Sequence, residues 1–92
     1  MINGIFIDPT DCVVTISAEA HPGDVISYLN GKEMIEVKAL DNIPIYHKMA
    51  IKDVEKGGKV IKYGQLIGIA GSDIKVGQHV HVHNIVEPER GI

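Results

Sequence analysis

The chain has 92 residues, 45% of them hydrophobic and 23% charged, which bounds it to one domain, residues 1–92, with a small core. A formal net charge of −3 without a basic cluster argues against a nucleic-acid partner, and no run approaches the ~18 apolar residues of a membrane span. The single Cys12 rules out an intramolecular disulfide, and Met1-Ile2-Asn3-Gly4 has neither the basic nor the apolar region of a signal peptide, so a soluble cytoplasmic protein is expected.

Glycine and proline punctuate short apolar runs, and no helical periodicity is sustained, so the expected class is mostly β. Cys12-Val13-Val14-Thr15-Ile16 is β-branched and reads as a strand in which Cys12 is a small apolar filler. Pro22-Gly23-Asp24 supplies a turn. Val25–Leu29 and Lys32–Leu40 flank Asn30-Gly31, a pair suited to the centre of a type I′ hairpin turn. After Pro44, Ile45, Met49 and Ile51 share one strand parity, and His47 shares it with them. His47 therefore reads either as a partly buried histidine bonded to a backbone carbonyl or as a member of a site. Lys48 takes the other face of a regular strand, so one site can use both only if the chain bends. Glu55-Lys56-Gly57-Gly58 is a further turn, and Lys59–Tyr63 resumes an extended run.

Two segments thirteen residues apart resemble each other: Ile61-Lys62-Tyr63-Gly64-Gln65-Leu66-Ile67-Gly68-Ile69 and Ile74-Lys75-Val76-Gly77-Gln78-His79-Val80-His81-Val82. Each reads as a glycine corner followed by a strand. The alignment assigns Ile67, Ile69, Val80 and Val82 to a packed face. It sets Leu66, Gly68 and Ala70 against the histidines.

The stretch His79-Val80-His81-Val82-His83-Asn84 concentrates three of the five histidines. On a strand, His79, His81 and His83 share one face. Imidazole is the commonest metal ligand and titrates near neutrality, so a metal or acid/base site is expected, against the alternative of a merely polar exposed face. Neighbours at i and i+2 stand roughly 6.6 Å apart and the outer pair roughly 13 Å apart. That spacing favours a two-histidine bite, with the third histidine as acid/base, substrate contact or a ligand brought in by strand curvature. No closed zinc pattern occurs, and the open positions left by two imidazoles suit catalytic Fe2+ or Mn2+. Phosphate-binding loops, serine triads and paired glycosidase carboxylates are also absent from the sequence.

From His47 to Asn84 the chain resembles the small N-terminal domain of the altronate and galactarate dehydratases, a SAF-type β-clip domain. The resemblance is carried by His47-Lys48-Met49-Ala50-Ile51-Lys52-Asp53-Val54, Gly57, Val60-Ile61-Lys62-Tyr63-Gly64, Ile67-Gly68-Ile69-Ala70, Asp73-Ile74 and Gly77-Gln78-His79-Val80-His81-Val82-His83-Asn84. Residues 1–42 match only in their turn-and-strand character. The resemblance implies the small subunit, or a separate domain, of a sugar-acid dehydratase that is inactive without a large catalytic partner. It also implies a divalent metal, commonly iron. A sulfolactate sulfo-lyase shares the division into small and large chains, so the leaving group stays open. With Lys48 as a carboxylate-binding group and His47 as its catalytic neighbour, the metal ligands are expected among His79, His81 and His83. A non-catalytic sugar-acid or partner-binding module is the competing reading. A biotinyl-type carrier is disfavoured, because Lys48-Met49 has the reverse order and lies in a strand. Ile43, Ile45 and Tyr46 are the expected docking face, and self-association is the other assembly considered.

Overall fold

In a computed structural model that describes residues 2–81 and 83–86, the chain forms nine strands and no helix among those residues. They are β1 (Gly4–Ile5), β2 (Val13–Ile16), β3 (Val25–Asn30), β4 (Glu33–Lys38), β5 (Lys48–Ala50), β6 (Lys59–Lys62), β7 (Gln65–Ala70), β8 (His79–Val80) and β9 (Ile85–Val86). They pair antiparallel into three small sheets, β1-β2-β5-β8, β3-β4 and β6-β7-β9. This is the mostly-β architecture expected of a SAF-type domain. No helix among the described residues is long and apolar enough to cross a membrane.

The four-stranded sheet is the middle layer because both of its faces are apolar. Strand alternation sends Val14, Ile16 and Met49 to one side, where they meet Ile26 and Tyr28 of the β3-β4 hairpin. Val13, Ala50 and Val80 point the other way, onto Val60, Ala70 and Ile74. The β-branched run of β2 therefore feeds two cores at once. Cys12 is buried in the second core beside the start of β2, its thiol directed at the Lys59 carbonyl 3.8 Å away.

One corner is used four times. A bridge residue (Ala20, Ile43, Val54 or Ile74) is followed by a four-residue turn whose third member has positive φ: Gly23 (93°), Tyr46 (68°), Gly57 (87°) or Gly77 (94°). In each copy the following N–H closes the turn, as in Asp24 N to His21 O and Gln78 N to Lys75 O at 2.9 and 3.0 Å. Each corner then exchanges two backbone hydrogen bonds with a distant residue: Ala39, Ile16, Ala70 and Ala50 respectively. Bridges Ala20↔Ile43 and Val54↔Ile74 couple the corners in two pairs.

Several expectations change in detail. The 25–40 hairpin forms, but Asn30 pairs with Glu33, so Gly31-Lys32 is the turn. Only Gly31 there has positive φ (65°), the pattern of a type II′ rather than a type I′ turn. The type I′ pattern instead falls at Tyr63-Gly64, with φ of 55° and 72° between Lys62 and Gln65. The Gly64 and Gly77 corners are thus different structures, a hairpin turn and a strand-initiating corner. The face assignment drawn from their alignment fails accordingly: Ala70 is core and Gly68 is buried against Ile85, whereas Ile67 and Ile69 are half-buried. Val80 is core as expected, and Val82 lies outside the described residues. The strand expected from Ile45 begins only at Lys48, since Ile45-Tyr46 is a corner. Of the proposed docking residues Ile45 and Tyr46 are exposed, but Ile43 is fully buried because it forms a corner bridge.

Candidate functional site

Met49 pairs with His79 across β5 and β8, and their side chains share the first-core face of the middle sheet. His47, two residues before Met49, is delivered to the same face by the Tyr46 corner. Its carbonyl accepts from Ile16 N at 3.0 Å, which holds it in line although β5 starts one residue later. The core stops at this end of the sheet, and the imidazoles occupy its border, half-buried.

His47 Nδ1 lies 2.9 Å from His79 Nε2. The His81 ring centroid is 4.6 Å from that of His47, and the His79 and His81 rings stack at 5.7 Å with an interplanar angle of 7°. One ring nitrogen from each of His47, His79 and His81 falls within 4.8 Å of the other two. The cluster therefore joins two elements separated by some thirty residues. His83 is exposed in the turn after β8, with its ring centroid 5.1 Å from His79. The strand expected to carry all three C-terminal histidines ends at Val80, so His81 and His83 sit on a bend and a turn. That curvature brings His81 toward His47, whose grouping with the ligand candidates no spacing rule revealed.

Two residues without an assigned role in the sequence reading shape this bend. Asn84 is buried (7% exposed) and wraps the turn: its Oδ1 accepts from His81 N at 3.0 Å and its Nδ2 donates to His79 O at 2.8 Å. Asp41 Oδ2 accepts from His79 N at 2.9 Å. An amide side chain three residues after a histidine is a local capping signal, whereas Asp41 is invisible without the fold.

The surroundings of His79 and His81 disfavour their charged forms. Burial, then the neighbouring His83, His47 and His81, hold the His79 pKa below its usual 6.5, opposed by Asp41. Loss of hydration, then His47, Lys48 and His83, lower that of His81. A shared proton accounts for the close His47–His79 nitrogen contact, and an imidazole binds a metal ion through its unprotonated nitrogen. The 2.9 Å His47–His79 separation matches the roughly 3 Å between two nitrogens bound at right angles at ~2.1 Å from one ion, so the donor set fits a divalent cation.

Lys48 takes the opposite face from His47 and His79, beside Thr15 and Val80. Burial, and then repulsion from Lys62, push its pKa down. The fold thus brings His47, His79 and His81 together, sets His83 at their edge, and leaves Lys48 on the other face of the sheet. Two shallow pockets of about 270 and 250 Å³ lie at the paired corners, around Lys56 and Lys75 and around His21 and Asn42, away from these groups.

Comparison with known proteins bears on what this cluster serves. The sequence profile of the altronate/galactarate dehydratase SAF domain matches residues 2–88. The chain is 46% identical over 50 residues to altronate dehydratase of Bacillus subtilis, a match covering 54% of this chain and 10% of that enzyme. It is 45% identical over 51 residues to (2R)-sulfolactate sulfo-lyase subunit alpha of Chromohalobacter salexigens, covering 55% of this chain and 54% of that subunit. Over 38 residues it is 58% identical to altronate dehydratase of Escherichia coli, covering 41% of this chain and 8% of that enzyme. The matched segment thus spans a tenth or less of the dehydratases and about half of the sulfo-lyase subunit.

Proposed function

The chain belongs to the altronate/galactarate dehydratase SAF domain family, and from that premise we propose that it is the small component of a cytoplasmic sugar-acid dehydratase, inactive alone and completed by a large catalytic subunit. The convergence of His47, His79 and His81 from two separate elements carries this reading. These three side chains would hold a divalent ion, Fe2+ first and Mn2+ second. Such an ion supplies positive charge to a carboxylate and hydroxyl of a sugar acid.

The chain's own groups do the rest. His83 is the exposed imidazole outside the ligand triad, free to give a proton to a departing hydroxyl, a step typically worth 10²–10⁴-fold. Lys48 binds a substrate carboxylate as an ammonium with no carboxylate in ion-pair range among the described residues. Asn84 and Asp41 hold the two histidine backbones in place, as outer-shell groups do around metal sites.

A sulfo-lyase-type role, with a sulfonate rather than hydroxide leaving, is the second reading. It is favoured by the larger share of the sulfo-lyase subunit that the match covers. Reconstitution with the large subunit tests the proposal. His81→Ala should abolish turnover and lower metal content while leaving the urea midpoint of the small chain within experimental error. Full turnover in that variant would sink it. Turnover on the sulfonated acid alone would select the second reading.

A further inference from the structure

The four corners share a backbone path but are not braced alike. In the Val54–Ile74 pair, each turn is held by the carboxylate that precedes the other corner. Asp73 Oδ1 accepts from Lys56 N at 2.8 Å, and Asp53 Oδ1 accepts from Val76 N at 2.9 Å. Both amides belong to the second residue of the four-residue turn, and both acids to the residue just before the bridge. Such side-chain bonds to backbone amides are what fix a turn in place.

The Ala20–Ile43 pair has the same frame, its two bridge bonds both 2.9 Å long, but neither brace. Here the bracing positions hold Glu19 and Asn42, and the amide positions hold Ile45 and Pro22. Pro22 has no N–H to offer Asn42. Ile45 has one, and among the described residues it finds no hydrogen-bond partner. The acid placed to accept it, Glu19, is turned to His21 instead, with Oε1 3.0 Å from Nε2. A pocket of about 250 Å³, lined in part by Glu19, His21 and Asn42, lies at this pair. The unbraced turn is the one that runs through the strained Tyr46 (φ 68°) and delivers His47.

We propose that Glu19 is a two-position brace governed by the charge on His21. It pairs with the imidazolium in acid and crosses the bridge to accept from Ile45 N when His21 is neutral, fixing the turn that sets His47 in the imidazole cluster. Imidazole is the side chain that changes charge between about pH 5 and 8. Losing that charge removes the attraction that keeps Glu19 at His21, while the Ile45 N–H remains a donor suited to a carboxylate. Asp24 stays behind to hold His21, its Oδ2 accepting from His21 N at 2.8 Å and lying 3.5 Å from Nδ1. The facing turn, residues 42–45, brings no charge. On the segment packed against this corner the charged groups are Lys38 and Asp41; neither is in ion-pair range of His21, and the Asp41 carboxylate accepts from His79 N. The consequence for an ion at His47 rests on the proposed function, whereas the movement of Glu19 does not.

The test is an NMR measurement on the full 92-residue chain, free of metal, from about pH 5.5 to 8. Solvent exchange of Ile45 N–H is read by saturation transfer as a ratio to that of Lys56 N–H, which Asp73 holds throughout. The ratio is expected to fall about fivefold as pH rises, the effect of one modest hydrogen bond. Glu19→Ala should keep it at the acid value across the range, and His21→Ala should keep it at the alkaline value. Two variants that fix one reporter at opposite ends separate the brace from any general loosening. A ratio that is constant in the wild-type chain, or a step that survives in both variants, overturns the proposal. Glu19→Ala should also weaken Zn2+ binding about threefold at neutral pH, with His21→Ala unchanged. Zinc affinity unaltered in Glu19→Ala overturns the role of the brace in placing His47. Failure of the wild-type chain to bind zinc would instead overturn the metal reading, leaving the Ile45 ratio to decide the movement of Glu19 by itself.

Discussion

At the proposed site His79 would meet two demands, since its ring has to be unprotonated to bind an ion and the chain after it has to bend to bring in His81. Burial and three neighbouring imidazoles lower its pKa, so the folded chain binds fewer protons here than the unfolded chain. By linkage, the stability this site contributes is complete above the unfolded value near 6.5 and falls as pH drops through it. His81 shifts in the same direction and adds to the effect. The urea midpoint of the metal-free chain is therefore expected to fall between about pH 7.5 and 5, and His79→Gln should flatten that slope. A midpoint that rises on acidification would contradict the assigned direction.

Among the elements, the repeated corner does most to position the site. Each copy needs one residue at positive φ, and three of the four use glycine. The exception is Tyr46, immediately before His47, where the fold accepts a strained tyrosine at the residue that delivers an imidazole. The two outer copies differ in what surrounds the glycine. A Cβ at Gly23 meets nothing within 4 Å, whereas one at Gly77 collides with the Lys38 carbonyl oxygen and approaches Leu40 Cγ to 3.0 Å. Gly23→Ala is thus expected to cost only the backbone term, about 1–2 kcal/mol. Gly77→Ala adds a steric clash and should cost clearly more, with displaced NMR resonances at His79. Denaturant unfolding of the two variants compares them directly.

For the molecule as a whole, the two cores share one middle sheet, and the imidazoles close its border. His47 follows the Tyr46 corner while His79 and His81 follow the Gly77 corner, so an ion held by all three would tie both corners together. Binding only to the folded chain stabilises it by RT ln(1 + [L]/Kd), about 2.7 kcal/mol at a hundredfold excess over Kd. Zn2+ or Mn2+ should accordingly raise the thermal midpoint of the wild-type chain by several degrees. The rise should vanish in His47→Gln, and its persistence there would remove His47 from the ligand set.

Local chemistry made much of this legible in the sequence. The β-branched run 13–16, the glycine turns and the parity linking His47 with Met49 are short-range properties of the chain, and they carried the mostly-β class and the family. The sequence also marked His79, His81 and His83 as ligand candidates, of which the fold gathers the first two. Tertiary structure alone decided which imidazole joins that pair, because the Asn84-capped bend ends β8 at Val80 and the Tyr46 corner brings in His47 across more than thirty residues. It also decided that Lys48 shares a face with Thr15 and Val80, opposite the His47–His79 pair. Both outcomes depend on long-range strand pairing, which composition and spacing do not encode. The physical reason is that β parity assigns a side chain to a face, but only the sheet's neighbours determine what that face meets.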